Sequence, residues 1–357
     1  MEDSVAGDGE VPKLPEELWD WIAQCLPMRE RIGLTEVAKA FHDRYWGGVT
    51  VRTQEELDAA LRAGGVRLIV LRADGLTVSR PVRGTPAIVA EADACVTSYR
   101  VHVRDAVHVV ASGTAQVDAG GAARVTASGQ ARVYARGEAR VTAHEHVRVT
   151  AHDDAHVTAH GMAQVHADGR VRVVADGSGQ VHAYGLAEVQ ASGNVAVYAQ
   201  GQAHVTAGGQ VRVNANGHVR VTAHHQAQLS VDGESQVDAD GSTLTHAYGH
   251  TQVWAGGGAH VVAACQAQVT ASAGARVKAY HQAHVVASDD AWVAAADAAT
   301  VSGGGAGVRI WIAKGVAVEA PGSPVLETVY HVILNSNWDV LDHLWQEYRS
   351  ALPGGSV

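Results

Sequence analysis

Starting at Val101, an apolar residue returns at every eighth position: Val109, Val117, Val125, Val133, Val141, Val149, Val157, Val165 and onward to Val301. Of these 26 positions only Leu229 and Thr245 are not valine, and no insertion or deletion interrupts the series. Two residues after each Val the chain almost always has Ala, two before it mostly has Ala or Val, and four after it usually has Gly. The unit is A-x-V-x-A-x-G-x. A strict period of this kind means that identical small units stack on one another. Alternation of small apolar and polar residues is the signature of a strand, so A-x-V-x-A reads as five residues with three facing inward. The x-G-x between strands reads as a corner, where glycine supplies backbone freedom. Asp105, Asp153, Asp289 and Asp297 replace the corner glycine, and aspartate also adopts turn conformations.

The outward residues set the number of strands per turn. Directly after the repeat Val, Thr126, Thr142, Thr158, Thr206, Thr222 and Thr270 differ by multiples of sixteen, and only Thr150 breaks the phase. Tyr134, Tyr198, His166, His182 and His246 hold the opposite phase. The corner residues Tyr184, Tyr248 and Tyr280 also differ by multiples of sixteen. A three-sided coil needs a period of 24, which these separations do not fit. The expected fold is mainly β: a two-sided parallel β-solenoid with about 16 residues per coil. Two sheets face each other across a narrow Val/Ala core. About thirteen coils at roughly 4.8 Å give a rod on the order of 60 Å long.

Composition agrees with a thin object. The chain has 39 Gly, one Phe and 5% aromatic residues, too few large side chains for a thick globular core. The net charge of −10 is spread along the chain and argues against a general nucleic-acid binder. Cys25, Cys95 and Cys265 are odd in number and far apart, which fits neither a disulfide framework nor a zinc spacing. No stretch approaches the roughly 18 apolar residues of a membrane span. The acidic, polar start MEDSVAGDGEVPK is unlike a secretory signal. A cytoplasmic location is the expectation.

Solenoid ends expose strand edges and need covers. Residues 1–12 read as a disordered tail and 13–80 as a helical N-terminal domain with short strands. Residues 81–305 form the solenoid. Residues 306–357 add strands and an amphipathic capping or dimerisation helix. In that helix Ser336 or Asn337 is the cap, and Trp338, Leu341, Leu344, Trp345 and Tyr348 have helical spacing. In the N-terminal unit TQEELDAALRAGG has the marks of a capped helix: Thr53 first, Glu56 three residues on, and Gly64 and Gly65 at its end. VRLIVLRADGLTV gives strands that lead into the solenoid.

Two resemblances follow. Leu14-Pro15, Leu18, Ile22, Leu26-Pro27, Leu34, Val37, Lys39 and Phe41 resemble an F-box, over about 30 residues. F-box motifs are short helical adaptors that dock a ubiquitin-ligase subunit. The octad array resembles the Ala/Val/Gly octapeptide-repeat proteins of actinobacteria and their phages, over about 200 residues. That resemblance implies a solenoid and no defined activity.

Side chains of equal phase fall next to each other on successive coils. The column of Tyr134, His166, His182, Tyr198, Asn214 and His246, rimmed by Tyr184, Tyr248 and Tyr280, joins rigid aromatics to polar groups, as recognition surfaces do. A corner column brings His144, His160 and Asp176 onto three adjacent coils, a candidate metal set for Zn²⁺ or Cu²⁺. Arg124, Arg140, His156 and Arg172 form a basic column, with Arg132 and Arg148 on the other face. No glycine-rich phosphate loop, G-x-S-x-G, H-E-x-x-H or carboxylate pair in a cleft is present. The sequence therefore leads to a non-enzymatic scaffold without a cofactor. It binds a protein partner through its surface or ends, with a homodimer through the C-terminal helix and no membrane or nucleic-acid role. The alternatives are a protective nucleic-acid mimic, like the pentapeptide-repeat proteins that engage topoisomerases, and metal binding by histidine ladders.

Overall fold

The computed structural model describes residues 48–63, 68–71, 76–78, 87–90, 94–96, 100–103, 107–305, 307–313, 316–321, 325–328, 340, 341, 343 and 344. The F-box-like residues 14–41, and Trp338, Trp345 and Tyr348, lie outside them. Within the described residues each octad forms a four- to six-residue strand, and the strands alternate between two parallel sheets. The first sheet has 18 strands, from Gly48–Val51 to Val325–Thr328. The second has 16, from Leu76–Val78 to Ala317–Glu319.

Pairing follows the sixteen-residue step. Val117 pairs with Val133, Val133 with Val149 and Val149 with Val165 in the first sheet. In the second, Val125 pairs with Val141 and Val141 with Val157. Seventeen spacings in the first sheet at roughly 4.8 Å give a rod about 80 Å long. The molecule is a two-sided parallel β-solenoid with a core of Val and Ala. Val133, Ala135, Val141 and Ala143 are 2% exposed or less, and so are their counterparts in most other coils. Small side chains are required because the two sheets press against each other through three inward residues per octad.

The corners explain the glycines. Gly129, Gly137, Gly161, Gly177 and Gly193 all have φ between 66° and 99°, the left-handed region. Glu145, Asp153, His225, Cys265, Ala273, His281, Asp289 and Asp297 take the same slot with φ between 49° and 65°. Three of these side chains make a bond that glycine cannot. The Glu145 carboxylate accepts from the Gly129 N–H at 2.9 Å and Asp153 from Gly137 at 3.1 Å. Asp297 accepts from the His281 N–H at 3.2 Å. Each reaches back to the corner one coil earlier. An acidic corner thus offsets part of its backbone strain by tying two coils together.

The core has one polar stretch. Ser235, Thr243, Thr245 and Thr251 stand in inward slots and are buried. The Ser235 hydroxyl donates to the carbonyls of Gly217 and Asp232, both at 3.0 Å. Thr251 donates to the Tyr248 carbonyl at 2.6 Å. The hydroxyls of Thr243 and Thr245 find no partner. An unmade hydrogen bond in a dry core costs about 1–3 kcal/mol. Replacing Thr245 by the isosteric Val restores the repeat. It is expected to raise stability by about 1 kcal/mol, read as a higher urea midpoint. An unchanged or lower midpoint would show that the hydroxyl is satisfied in solution.

Near the ends the described residues depart from the bare repeat. A helix, Gln54–Ala63, follows the strand Gly48–Val51 in the chain and packs against it and against Leu76–Val78. It buries Leu57, Ala60 and Leu61. Thr53 caps it as expected, with its hydroxyl accepting from the Glu56 N–H at 3.2 Å. The reciprocal bond lands one residue earlier than in a standard capping box, on the Arg52 N–H at 2.7 Å. Gln54 has a second role. Its side-chain amide donates to the Thr77 carbonyl at 3.0 Å and accepts from the Thr77 N–H at 2.9 Å. One side chain thereby supplies the donor and acceptor that a further strand would offer to the edge strand Leu76–Val78. At the far end Ala294 and Trp311 stand in the outward column of the first sheet, yet both are fully buried. Leu341, from the expected capping helix, is also fully buried and belongs to the same core cluster. Leu344 is partly exposed.

Candidate binding surface

The pairing register builds one continuous outward column on the first sheet: His102, Asp118, Tyr134, Thr150, His166, His182, Tyr198, Asn214, Ser230, His246, Val262 and Lys278. Strand alternation turns each of these side chains outward, and sixteen-residue pairing sets each beside the next. All six residues read from the sequence as one column lie in it. Thr150 and Ser230 interrupt the series with short side chains.

The centre of the column is a stack. His166 and His182 have ring centroids 5.2 Å apart with planes 24° from parallel. His182 and Tyr198 follow at 4.8 Å and 14°. Tyr184, at the adjoining corner, tilts against His166 at 5.2 Å and 39°. The coil repeat is close to aromatic stacking distance, so identical register forces ring on ring. Within this series each ring covers a face of the next. Tyr134 and Tyr198 are each 41% exposed, and His166 and Asn214 are also exposed. Among the rim tyrosines Tyr248 is exposed, whereas Tyr280 is half-buried against the core.

Burial and the neighbouring His166 ring push the His182 pKa below the ordinary 6.5. Burial, and then Arg276, do the same to His260. The fold thus favours the neutral rings. Their contribution to stability is present above about pH 6.5 and is lost as pH falls through the depressed folded value. Acidification from pH 7.5 to 5.5 is expected to lower the melting temperature, and His182→Gln should reduce that drop. Equal drops in both proteins would remove His182 as a source of the dependence.

The corner column also assembles. His144 stacks on His160 at 5.0 Å and 15°, and His160 Nδ1 lies 2.8 Å from the Asp176 carboxylate. The three sit on successive coils, as their spacing requires. The arrangement is a stack followed by a hydrogen bond. Among the described residues no group of three or more His, Cys, Asp or Glu is placed to hold a metal ion.

Other contacts at the same step escaped the sequence reading. His102 Nδ1 lies 3.3 Å from Asp118, His152 3.9 Å from Asp168 and His218 3.4 Å from Glu234. Counting sixteen from each histidine finds all three. Near the C-terminal end Trp292 lies between Arg276 and Arg309, whose guanidinium carbons are 4.7 and 4.5 Å from its ring centroid.

The geometry defines the class of molecule: a two-sided parallel β-solenoid with a polar-aromatic ladder on one face. Among the described residues no helix is long and apolar enough to cross a membrane. Comparison with protein-family models, with curated proteins and with solved structures finds no match for this chain.

Proposed function

We propose that this protein is a non-enzymatic scaffold that presents the outward column of its first sheet to a protein partner. The observation that carries the reading is the stacked series His166, His182 and Tyr198 with Tyr184 at its side. These rings are fixed by one another and by the register, so little side-chain entropy is lost when a partner engages them. Gln164 and Gln180 line the same face in the neighbouring column and add amide donors and acceptors. A β-solenoid repeat fold suits such a task because its backbone holds the spacing.

The nucleic-acid mimic has less support, because the carboxylates are scattered and several are paired. Asp154 binds Arg170 at 2.7 Å, Glu188 binds Arg172 at 3.0 Å, and Asp118, Asp176 and Glu234 face histidines. A metal role has less support, because no group of three or more His, Cys, Asp or Glu among the described residues is placed to hold an ion.

The test compares two surface variants of the full chain. Immobilised protein with Tyr134→Ala, His182→Ala and Tyr198→Ala should lose at least tenfold of a partner captured from native extract by the unmodified chain. A control with Thr142→Ala, Thr158→Ala and Thr206→Ala on the second sheet should retain it. Equal capture by both variants would overturn the reading.

A further inference from the structure

A groove of about 300 Å³ runs along the second sheet, lined by Ala122, Arg124, Glu138, Arg140, Asp154 and His156. Its two walls are different columns of the same coils. One wall is the residue before the repeat Val: Arg124, Arg140 and His156, aligned by strand pairing. The other is the residue two positions earlier: Ala122, Glu138 and Asp154. One wall is basic, and the other is acidic on two of its three coils. Arg124, Glu138 and Arg140 are exposed, and among the described residues none of them makes an ion pair or side-chain hydrogen bond. On the next coil the charges are already used, because Arg170 holds Asp154 and Arg172 holds Glu188. Beside the basic wall stand Thr126, Thr142 and Thr158, short side chains that leave the walls prominent.

From this placement we infer that the groove is half of a self-complementary interface, and that its occupant is a second copy of the chain. A two-fold axis parallel to the rod and midway between the walls lays each basic wall on the acidic wall of the other copy. Arg140 then faces Glu138 of the second copy and Glu138 faces its Arg140, at the same height. Asp154 is already held by Arg170, so the reciprocal Arg140–Glu138 pair carries the contact, and Arg124 stands one coil from Glu138. The spacing matches without adjustment, because both walls carry the coil repeat of about 4.8 Å. An extended peptide, with same-side residues about 6.8 Å apart, falls out of step after one contact. The contact is isologous, so it closes on two copies. It lies on the sheet opposite the aromatic column, so it stands or falls separately from the proposed function, and it does not involve the C-terminal helix.

The experiment measures the mass of the full chain in solution by light scattering after size exclusion, at low and high salt. The unmodified protein should behave as two copies of 37.2 kDa in 50 mM NaCl and dissociate as salt screens the charges. Glu138→Arg alone and Arg140→Glu alone should each weaken association at least tenfold, because like charges then meet. The double variant should associate as the unmodified protein does. An equal mixture of the two single variants should form a mixed dimer, since each then carries the charge the other lacks. Glu138→Gln, which only deletes a charge, should show a smaller loss. Circular dichroism confirms that each variant is folded. A monomer at all salt concentrations overturns the inference. So does a dimer indifferent to both single reversals, which would place the contact elsewhere.

Discussion

Removing residues 203–218 is expected to leave a folded rod one turn shorter, while removing only 203–206 should destroy it. The larger deletion takes out one complete coil, and Gln202 then continues into Val219, which fills the inward slot that Ala203 held. All strands beyond keep their sheet and their column. A deletion of eight, 203–210, should also fold, because every octad fills the same three inward slots. Each later strand would then change sheets, and Asn214 and His246 would leave the column that holds His182 and Tyr198. The deletion of four keeps the inside–outside alternation and still fails. Gly209 would enter the central core slot of Val205, and Val213 the corner slot of Gly209, where φ is 74°. β-Branched residues do not tolerate that region, and a glycine in the core leaves a void. The same mismatch recurs every eight residues to the end of the array. Circular dichroism and thermal melting separate the three cases: near-normal melting for sixteen and eight, and loss of most strand signal for four. A well-folded four-residue deletion would mean that the corners do not set the register.

The second large effect is expected at Gly177. Its φ is 99°, and a β-carbon there would lie 2.6 Å from the carbonyl oxygen and 2.8 Å from the nitrogen of Gly161, both backbone atoms of the coil below. Neither can move without breaking the ladder, in which the Ser178 N–H donates to that same carbonyl at 2.7 Å. Gly177→Val adds backbone strain to the clash and should cost about 3 kcal/mol or more. Gly208 is the control. Nothing lies within 4 Å of a β-carbon there and its φ is not in the left-handed region, so Gly208→Ala should be close to neutral. Chemical denaturation of both variants tests the pair. Equal destabilisation would show that coil spacing relaxes readily around an added methyl group.

How much of this was legible depends on where the repeat is strict. Val101 to Val301 gave the inward face from alternation, and the phases of Thr126, Tyr134 and His166 gave the number of sides. Once the coil was known to take sixteen residues, the His166–His182 and His144–His160 neighbours followed by counting. The ring orientations did not follow, because only the coil spacing and the rotamers together decide that faces meet. Nor did the corner carboxylates, since Asp153 looked like a turn former and its bond to the Gly137 N–H is between coils. At the ends counting fails. Ile69 pairs with Ile88, a step of nineteen, and Val293 with Ile310, a step of seventeen. That one extra residue is why Arg309 lands on Trp292 and was missed. The latch of Gln54 on Thr77 was likewise invisible, because a glutamine in the first turn of a helix has no sequence mark that tells solvent from a strand edge.

The direction of the hydrogen bonds has a mechanical consequence. They run along the rod, from each coil to the next, so tension applied at the chain ends loads them a few at a time. Such a molecule yields by peeling. Each turn released from an end sets free sixteen residues, about 50 Å of extended chain, while the remaining turns keep their shape. Stretched, this rod would lengthen in equal steps at similar force, paying out slack in units of its own repeat.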